Sequence, residues 1–186
     1  MAHREQQEFC EAVRRRFPDS FRNRIVLDVG SLDINGNNRC LFENCRYIGI
    51  DIEHGPNVDV VCKAHEWCVA EGAFDTVIST ETLEHDAFYA QSLRNMVRVL
   101  RPGGLLILTC ATTGRPEHGT RRCDPRDSPF TARIAGWCDY YRNLTEEDIR
   151  EVLDVDSAFS GYEFRLEPRH HDLQFWGVKA TEGRSS

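Results

Sequence analysis

An α/β fold is predicted for this chain: a doubly wound, mostly parallel sheet closed by a C-terminal antiparallel hairpin. Three observations point to it. Apolar runs at Ile25–Ser31 (IVLDVGS), Tyr47–Asp51 (YIGID) and Phe74–His85 (FDTVISTETLEH) each lead into an acid, a glycine or a hydroxyl residue, as expected of buried parallel strands that deliver polar groups into a shared crevice. These runs alternate with helical patterns, which calls for a parallel sheet. Tyr162, Phe164 and Leu166 then alternate and Leu173–Lys179 forms another strand-like run, so the chain closes with an antiparallel pair.

The first element is a helix over 4–17, with Phe9, Ala12, Val13 and Phe17 near one face and Pro18 at its end. Arg24–Val29 is the first strand, followed by a Gly/Asn-rich turn over 30–38 and a weakly signalled helix near Asn37. Strands follow at Arg46–Asp51, Val58–Cys62 and Phe74–Thr80. Leu93, Met96, Val97 and Leu100 recur at helical spacing, so Ala87–Leu100 is an amphipathic helix stopped by Pro102 and the Gly103–Gly104 turn. Leu105–Cys110 is the fifth strand. The segment 112–143 has weak periodicity, and a loop of that length in a compact domain is usually functional or disordered. Thr145 opens a helix to about Leu153, with a capping box to Asp148 and a staple between Leu144 and Ile149. Glu182–Ser186 is expected to fray.

With 186 residues and 40% hydrophobic content, one domain over 1–186 is expected. The formal charge of -7 argues against a nucleic-acid partner, whose phosphates require clustered Lys and Arg; Arg14–Arg16 reads as a solvated helix face. No apolar stretch approaches the roughly 18 residues of a membrane span and the first residues do not resemble a signal peptide, so a cytoplasmic location is expected. The eight cysteines form no CxxC pair and read as small core hydrophobes in a reducing compartment. A homodimer is left open.

Asp51, ending the second strand, is placed to accept hydrogen bonds from both hydroxyls of a ribose. A dinucleotide would also need a G-x-G-x-x-G turn to cradle its pyrophosphate, and the turn here reads G-S-L-D-I-N-G. An adenosine ligand without phosphates fits better.

The order DVG, GID, FDTVISTETLEH and LRPGG (Leu100–Gly104), with a closing hairpin, resembles the class I S-adenosylmethionine-dependent methyltransferases over roughly Ile25–Lys179. The resemblance implies a Rossmann-like, seven-stranded sheet and S-adenosylmethionine as cofactor. Asp28–Gly30 matches the start of the family's first motif, whose backbone approaches the methionine part. Asp51 matches the ribose-binding acid, and Glu84–His85 the end of the fourth-strand motif. The first motif departs from the family's G-x-G-x-G, with Leu32 and Ile34 in place of the later glycines. A subset of the family continues with Asn-Gly-x-x-Arg, here Asn35–Arg39, so Asn35 or Arg39 is expected at the cofactor carboxylate; Arg39 as a surface residue is the alternative. The adenine is expected near Cys62–Trp67, with His65 and Trp67 flanking it. The implied cofactor set is therefore Asp28, Gly30, Ser31, Asn35, Gly36, Arg39, Asp51, Ile52, Ala64, His65, Thr80 and Glu81.

Methyl transfer from a sulphonium asks the protein to align donor and acceptor and to remove a proton. Glu81, Glu84, His85 and Asp86 follow the fourth strand, and Glu117 and His118 follow the fifth. His118, His85 and Glu81 are the candidate catalytic groups, His85 having a structural or cofactor-contact role as its alternative. The same acids suit Mg²⁺ or a similar divalent ion, though no ligand spacing names the metal's residues. The segment 112–143 is expected to cover the acceptor, with Arg115, Glu117, His118, Trp137, Tyr140 and Tyr141 as the candidate acceptor contacts. Rings mixed with charges suit a sugar or glycan hydroxyl; another small metabolite, a protein side chain, and an inactive cofactor-binding module are the alternatives.

Overall fold

The computed structural model describes residues 3–181; the tail Glu182–Ser186 lies outside them. In chain order the elements are α1 (Arg4–Arg16), β1 (Ile25–Val29), β2 (Arg46–Asp51), β3 (Val60–Val61), β4 (Phe74–Thr80), α2 (Tyr89–Val99), β5 (Leu100–Ala111), α3 (Glu146–Val152), α4 (Val155–Ala158), β6 (Phe159–Glu167) and β7 (Asp172–Lys179). They build one seven-stranded sheet in the order β3-β2-β1-β4-β5-β7-β6. The first five strands are parallel, and β7 runs antiparallel between β5 and β6. From β1 the chain winds outward to β3 and then returns to β4 on the other side of β1. The resulting switch point opens a crevice beyond the carboxyl ends of β1 and β4.

Successive strand residues fill opposite faces, as the period of two requires. Val26, Ile78, Leu105, Ile107 and Trp176 pack with Phe9, Cys10 and Val13 of α1 and with Phe21. Leu27, Val29, Val77, Leu106, Leu108 and Phe175 pack with Leu93, Met96 and Val99 of α2 and with Ile149 and Val155. The capping box of α3 forms, with Thr145 N donating to Asp148 Oδ2 (2.8 Å) and Asp148 N to Thr145 Oγ1 (3.3 Å), while Leu144 and Ile149 are buried beside it.

Three expectations need correction. The helix near Asn37 is only a 3-10 turn, Arg39–Leu41, because the Asp33 carboxylate accepts from Gly36 N and Asn37 Nδ2 and holds the chain in a loop. β5 starts at Leu100: that residue pairs with Phe74, and regular pairing resumes at Thr76 and Leu105 after a register shift that absorbs Pro102 and the two glycines. Of the eight cysteines, all free, only Cys10 and Cys110 are buried, while Cys40 and Cys68 are exposed.

Candidate active site

The crevice spans about 930 Å³, a volume that includes the solvent-open space at its mouth. One wall is the turn after β1. Gly30 has φ +75°, and a Cβ there would stand 2.1 Å from Thr82 Oγ1, so only glycine lets the turn pass so close to the chain leaving β4. The turn is braced from behind: Asn57 Nδ2 donates to Ser31 O (2.8 Å), Ser31 Oγ donates to Asn57 O (3.1 Å), and Arg39 Nε donates to Asn57 Oδ1 (2.7 Å).

Asp51 closes the adjoining wall. Its two carboxylate oxygens accept from Leu32 N (3.1 Å) and Ile52 N (2.7 Å). A carboxylate has about four acceptor positions, so two remain for a ligand. Burial pushes its acid up to about 6, against the pull of those backbone N–H groups. Asp28, behind the turn, accepts from Tyr47 OH, and burial raises it to about 7.

The third wall follows β4. Glu81 is held at φ +52°, a sparsely populated conformation for a residue with a side chain, as often found at functional sites. Its backbone N–H donates to Thr109 O (2.9 Å) and its Oε1 accepts from Thr109 Oγ1 (2.8 Å). Burial pushes the pKa of its carboxyl up. A 3-10 turn, Leu83–His85, then buries Glu84 and His85. The His85 ring lies 5.0 Å from that of His118 and 5.6 Å from that of Tyr141. Burial and the neighbouring His118 hold His85 well below the ordinary imidazole value, and burial lowers His118 as well. Gly119, at φ +64°, lets the backbone lie on the His85 ring, where a Cβ would be 2.6 Å from Cε1.

Of the expected cofactor residues, Asp28, Gly30, Ser31, Asn35, Gly36, Asp51, Ile52, Ala64, Thr80 and Glu81 line the crevice. Arg39 and His65 do not. The Arg39 guanidinium is engaged with Asn57 and with Asp59 (2.6 Å) and lies over the Tyr47 ring, while His65 stacks on Phe88 (4.3 Å). Among the expected catalytic and acceptor residues, His85, Glu81 and Trp137 line the crevice; His118 and Tyr141 stand behind His85. Arg115 turns away to His170 O (2.6 Å) and Asp172 (3.3 Å), and Glu117 pairs with Arg122 and Thr120 near the surface. Tyr140 is also outside the lining. Within the segment 112–143 expected to cover the acceptor, Asp127–Thr131 line the crevice, with Phe130 over Gly55, although the sequence reading singled out none of these five residues. It also did not identify the bracing by Asn57, for which the Gly55–Pro56–Asn57 turn is the available signal.

A methyltransferase domain model matches residues 1–146, most of the chain. The chain belongs to the methyltransferase domain family. No curated protein sequence gives a significant match. Solved structures share the fold at low identity. The 1,6-didemethyltoxoflavin-N1-methyltransferase of Burkholderia thailandensis, crystallised with its acceptor and S-adenosylhomocysteine, superposes with a TM-score of 0.65 at 18% identity, covering 95% of this chain and 78% of that one. Phosphoethanolamine N-methyltransferase 2 of Haemonchus contortus gives 0.63 at 16%, covering 94% and 53%. The YcgJ protein of Bacillus subtilis gives 0.61 at 13%, covering 94% and 99%. This methyltransferase thus has the class I, Rossmann-like fold, and among its described residues no helix is long and apolar enough to cross a membrane.

Proposed function

We propose that this methyltransferase takes its methyl group from S-adenosylmethionine and delivers it to a hydroxyl of a sugar or glycan end, acting as a single cytoplasmic domain. The observation that carries the cofactor reading is Asp51 at the switch-point crevice, with two acceptor positions left over after Leu32 N and Ile52 N are satisfied. That geometry fits two ribose hydroxyls. The turn over 30–38 has no dinucleotide glycine pattern, which fits a ligand without a pyrophosphate. Asn35 and Gly36 would meet the methionine part, and Ile52, Ala64 and Phe130 the adenine. The cofactor supplies an activated methyl on a sulphonium.

The chain's own work lies at the β4 end. Glu81 and His85 face the crevice and would orient the acceptor and receive its proton, with His118 and Tyr141 packed behind His85. Carboxylates at Glu81, Asp86 and Asp127 beside the rings of Phe130 and Trp137 support a polyhydroxylated acceptor, whose C–H face covers rings while its hydroxyls donate to acids. The covering segment would also shield the acceptor from water. A reducing location suits eight free thiols.

The test is an acceptor panel of monosaccharides, glycan ends, amines and peptides with methyl-labelled S-adenosylmethionine, scoring labelled product and S-adenosylhomocysteine release. Transfer to a carbohydrate hydroxyl is expected. Transfer only to amines or peptides would overturn the acceptor assignment, and absence of S-adenosylhomocysteine binding would overturn the cofactor assignment.

A further inference from the structure

We propose that Glu84, His85 and His118 form a site for a divalent transition ion of the zinc class, at the acceptor end of the crevice. The three side chains are 0%, 3% and 7% exposed. Among the described residues, both carboxylate oxygens of Glu84, both ring nitrogens of His85 and Nε2 of His118 are buried without a hydrogen-bond partner. Buried polar atoms in native proteins are overwhelmingly partnered, so five orphans on three touching residues indicate a missing ligand. One ligand atom from each residue lies within 4.8 Å of the other two.

The orientation of His118 adds an independent point. Its Nδ1 lies 3.1 Å from Pro116 O, so Nδ1–H donates there and the Nε2 lone pair is left inside the cluster. Histidines that ligate metals are held in this way, by a carbonyl or carboxylate on the second nitrogen. His85 is fixed by the backbone of Gly119 lying against its ring. Two imidazoles and one carboxylate suit Zn²⁺ and its transition-metal neighbours better than Mg²⁺ or Ca²⁺, which prefer all-oxygen sets. This replaces the sequence-based expectation of a hard cation. Because His85 also lines the crevice, an open coordination position would face the acceptor. A hydroxyl bound there would lose its proton more readily, and with the His85 lone pair given to the ion that proton would pass to Glu81 in the same lining; this consequence, unlike the site itself, rests on the methyltransfer reading.

The experiment uses the full chain, freed of metal by a chelator and titrated with Zn²⁺ alone by calorimetry, with Co²⁺ as a spectroscopic substitute. One Zn²⁺ per chain is expected, together with visible Co²⁺ bands of a low-coordinate nitrogen and oxygen site. His118→Ala and Glu84→Gln should each weaken binding at least tenfold, while His170→Ala, in the separate His3, Glu5 and His170 group, leaves it intact. S-Adenosylhomocysteine binding by His118→Ala checks that the fold is retained; should neither variant fold, the wild-type Co²⁺ spectrum decides. No stoichiometric binding, or binding lost in His170→Ala and kept in His118→Ala, would overturn the site. Zn²⁺ binding without S-adenosylhomocysteine binding would leave the site standing and remove the methyltransfer reading instead.

Discussion

Replacing Asp51 tests the cofactor placement most directly. Its carboxylate holds Leu32 N at 3.1 Å and Ile52 N at 2.7 Å, and so ties the turn after β1 to the end of β2, and its outer positions are those proposed above for a ribose. In Asp51→Ala those ribose hydroxyls lose their acceptor and two backbone N–H groups lose theirs. Leaving such polar groups unpaired costs about 1–3 kcal/mol in binding, a Kd raised by roughly 5- to 150-fold. Asp51→Asn is no rescue, because its NH₂ must point at one of the two N–H donors. The acid titrates at about 6. Above that pH it is an anionic acceptor, and below it the protonated group has lost both its charge and one acceptor position. Affinity of the wild type for S-adenosylhomocysteine should therefore fall as the pH drops through about 6, whereas Asp51→Asn should show no such fall. Isothermal titration calorimetry between pH 5 and 8 measures both. A Kd within twofold of wild type for Asp51→Ala would refute the placement.

Asp28 has a folded-state value of about 7, raised by burial from 3.8, so its proton favours the folded form and its contribution to stability is lost as pH rises from about 4 to about 7. Asp28→Asn retains an acceptor for Tyr47 OH and should raise Tm at pH 8 more than at pH 5; a pH-independent difference would contradict this. Arg39→Ala removes the brace on Asn57 and the guanidinium stacked 4.5 Å over Tyr47. It should cost about 1 kcal/mol of stability and weaken S-adenosylhomocysteine binding less than Asp51→Ala does, whereas an equal loss would put Arg39 on the cofactor. Gly119→Ala forces a side chain into the left-handed region and against His85. A stability loss of about 1–3 kcal/mol and reduced turnover with unchanged S-adenosylhomocysteine affinity are expected from melting curves, rate assays and calorimetry.

The parts of the fold legible in the sequence are those written in hydrophobic pattern. Arg46–Asp51 and Phe74–Thr80 are found with the bounds expected, since each is an apolar run stopped by a residue that must meet the crevice. The α3 capping box is local chemistry and is equally readable. β5 begins earlier than its pattern because strand pairing at Leu100 depends on Phe74, a partner far away in sequence. α4, one helical turn in length, carries no periodic signal. At the site, Asp51 was legible because a strand-ending acid is itself the signal. The engagement of Arg39 with Asn57 and Asp59 was not, because it requires knowing how the Gly55–Asn57 turn folds back on Ser31.

That bracing explains how the chain manages without the later glycines of the family's first motif. Leu32 and Ile34 stand where that motif has glycines, and the turn over 30–38 forms no helix, so its backbone is held by side chains instead. The support is polar. Asp33 takes Gly36 N and Asn37 Nδ2, Asn57 takes Ser31, and Asn38 Nδ2 reaches across to Thr80 Oγ1 at 3.0 Å. The last of these ties the β1 turn to the end of β4, the two lips of the crevice. Acids then remain concentrated there: Asp28 and Asp51 on one lip and Glu81 on the other. Asp51, ionised above about pH 6, would meet a pyrophosphate unfavourably and a sulphonium or an ammonium favourably. On the proposed placement, the charge that S-adenosylmethionine loses on giving up its methyl group is the one this carboxylate would attract, so it would hold the product less tightly than the donor.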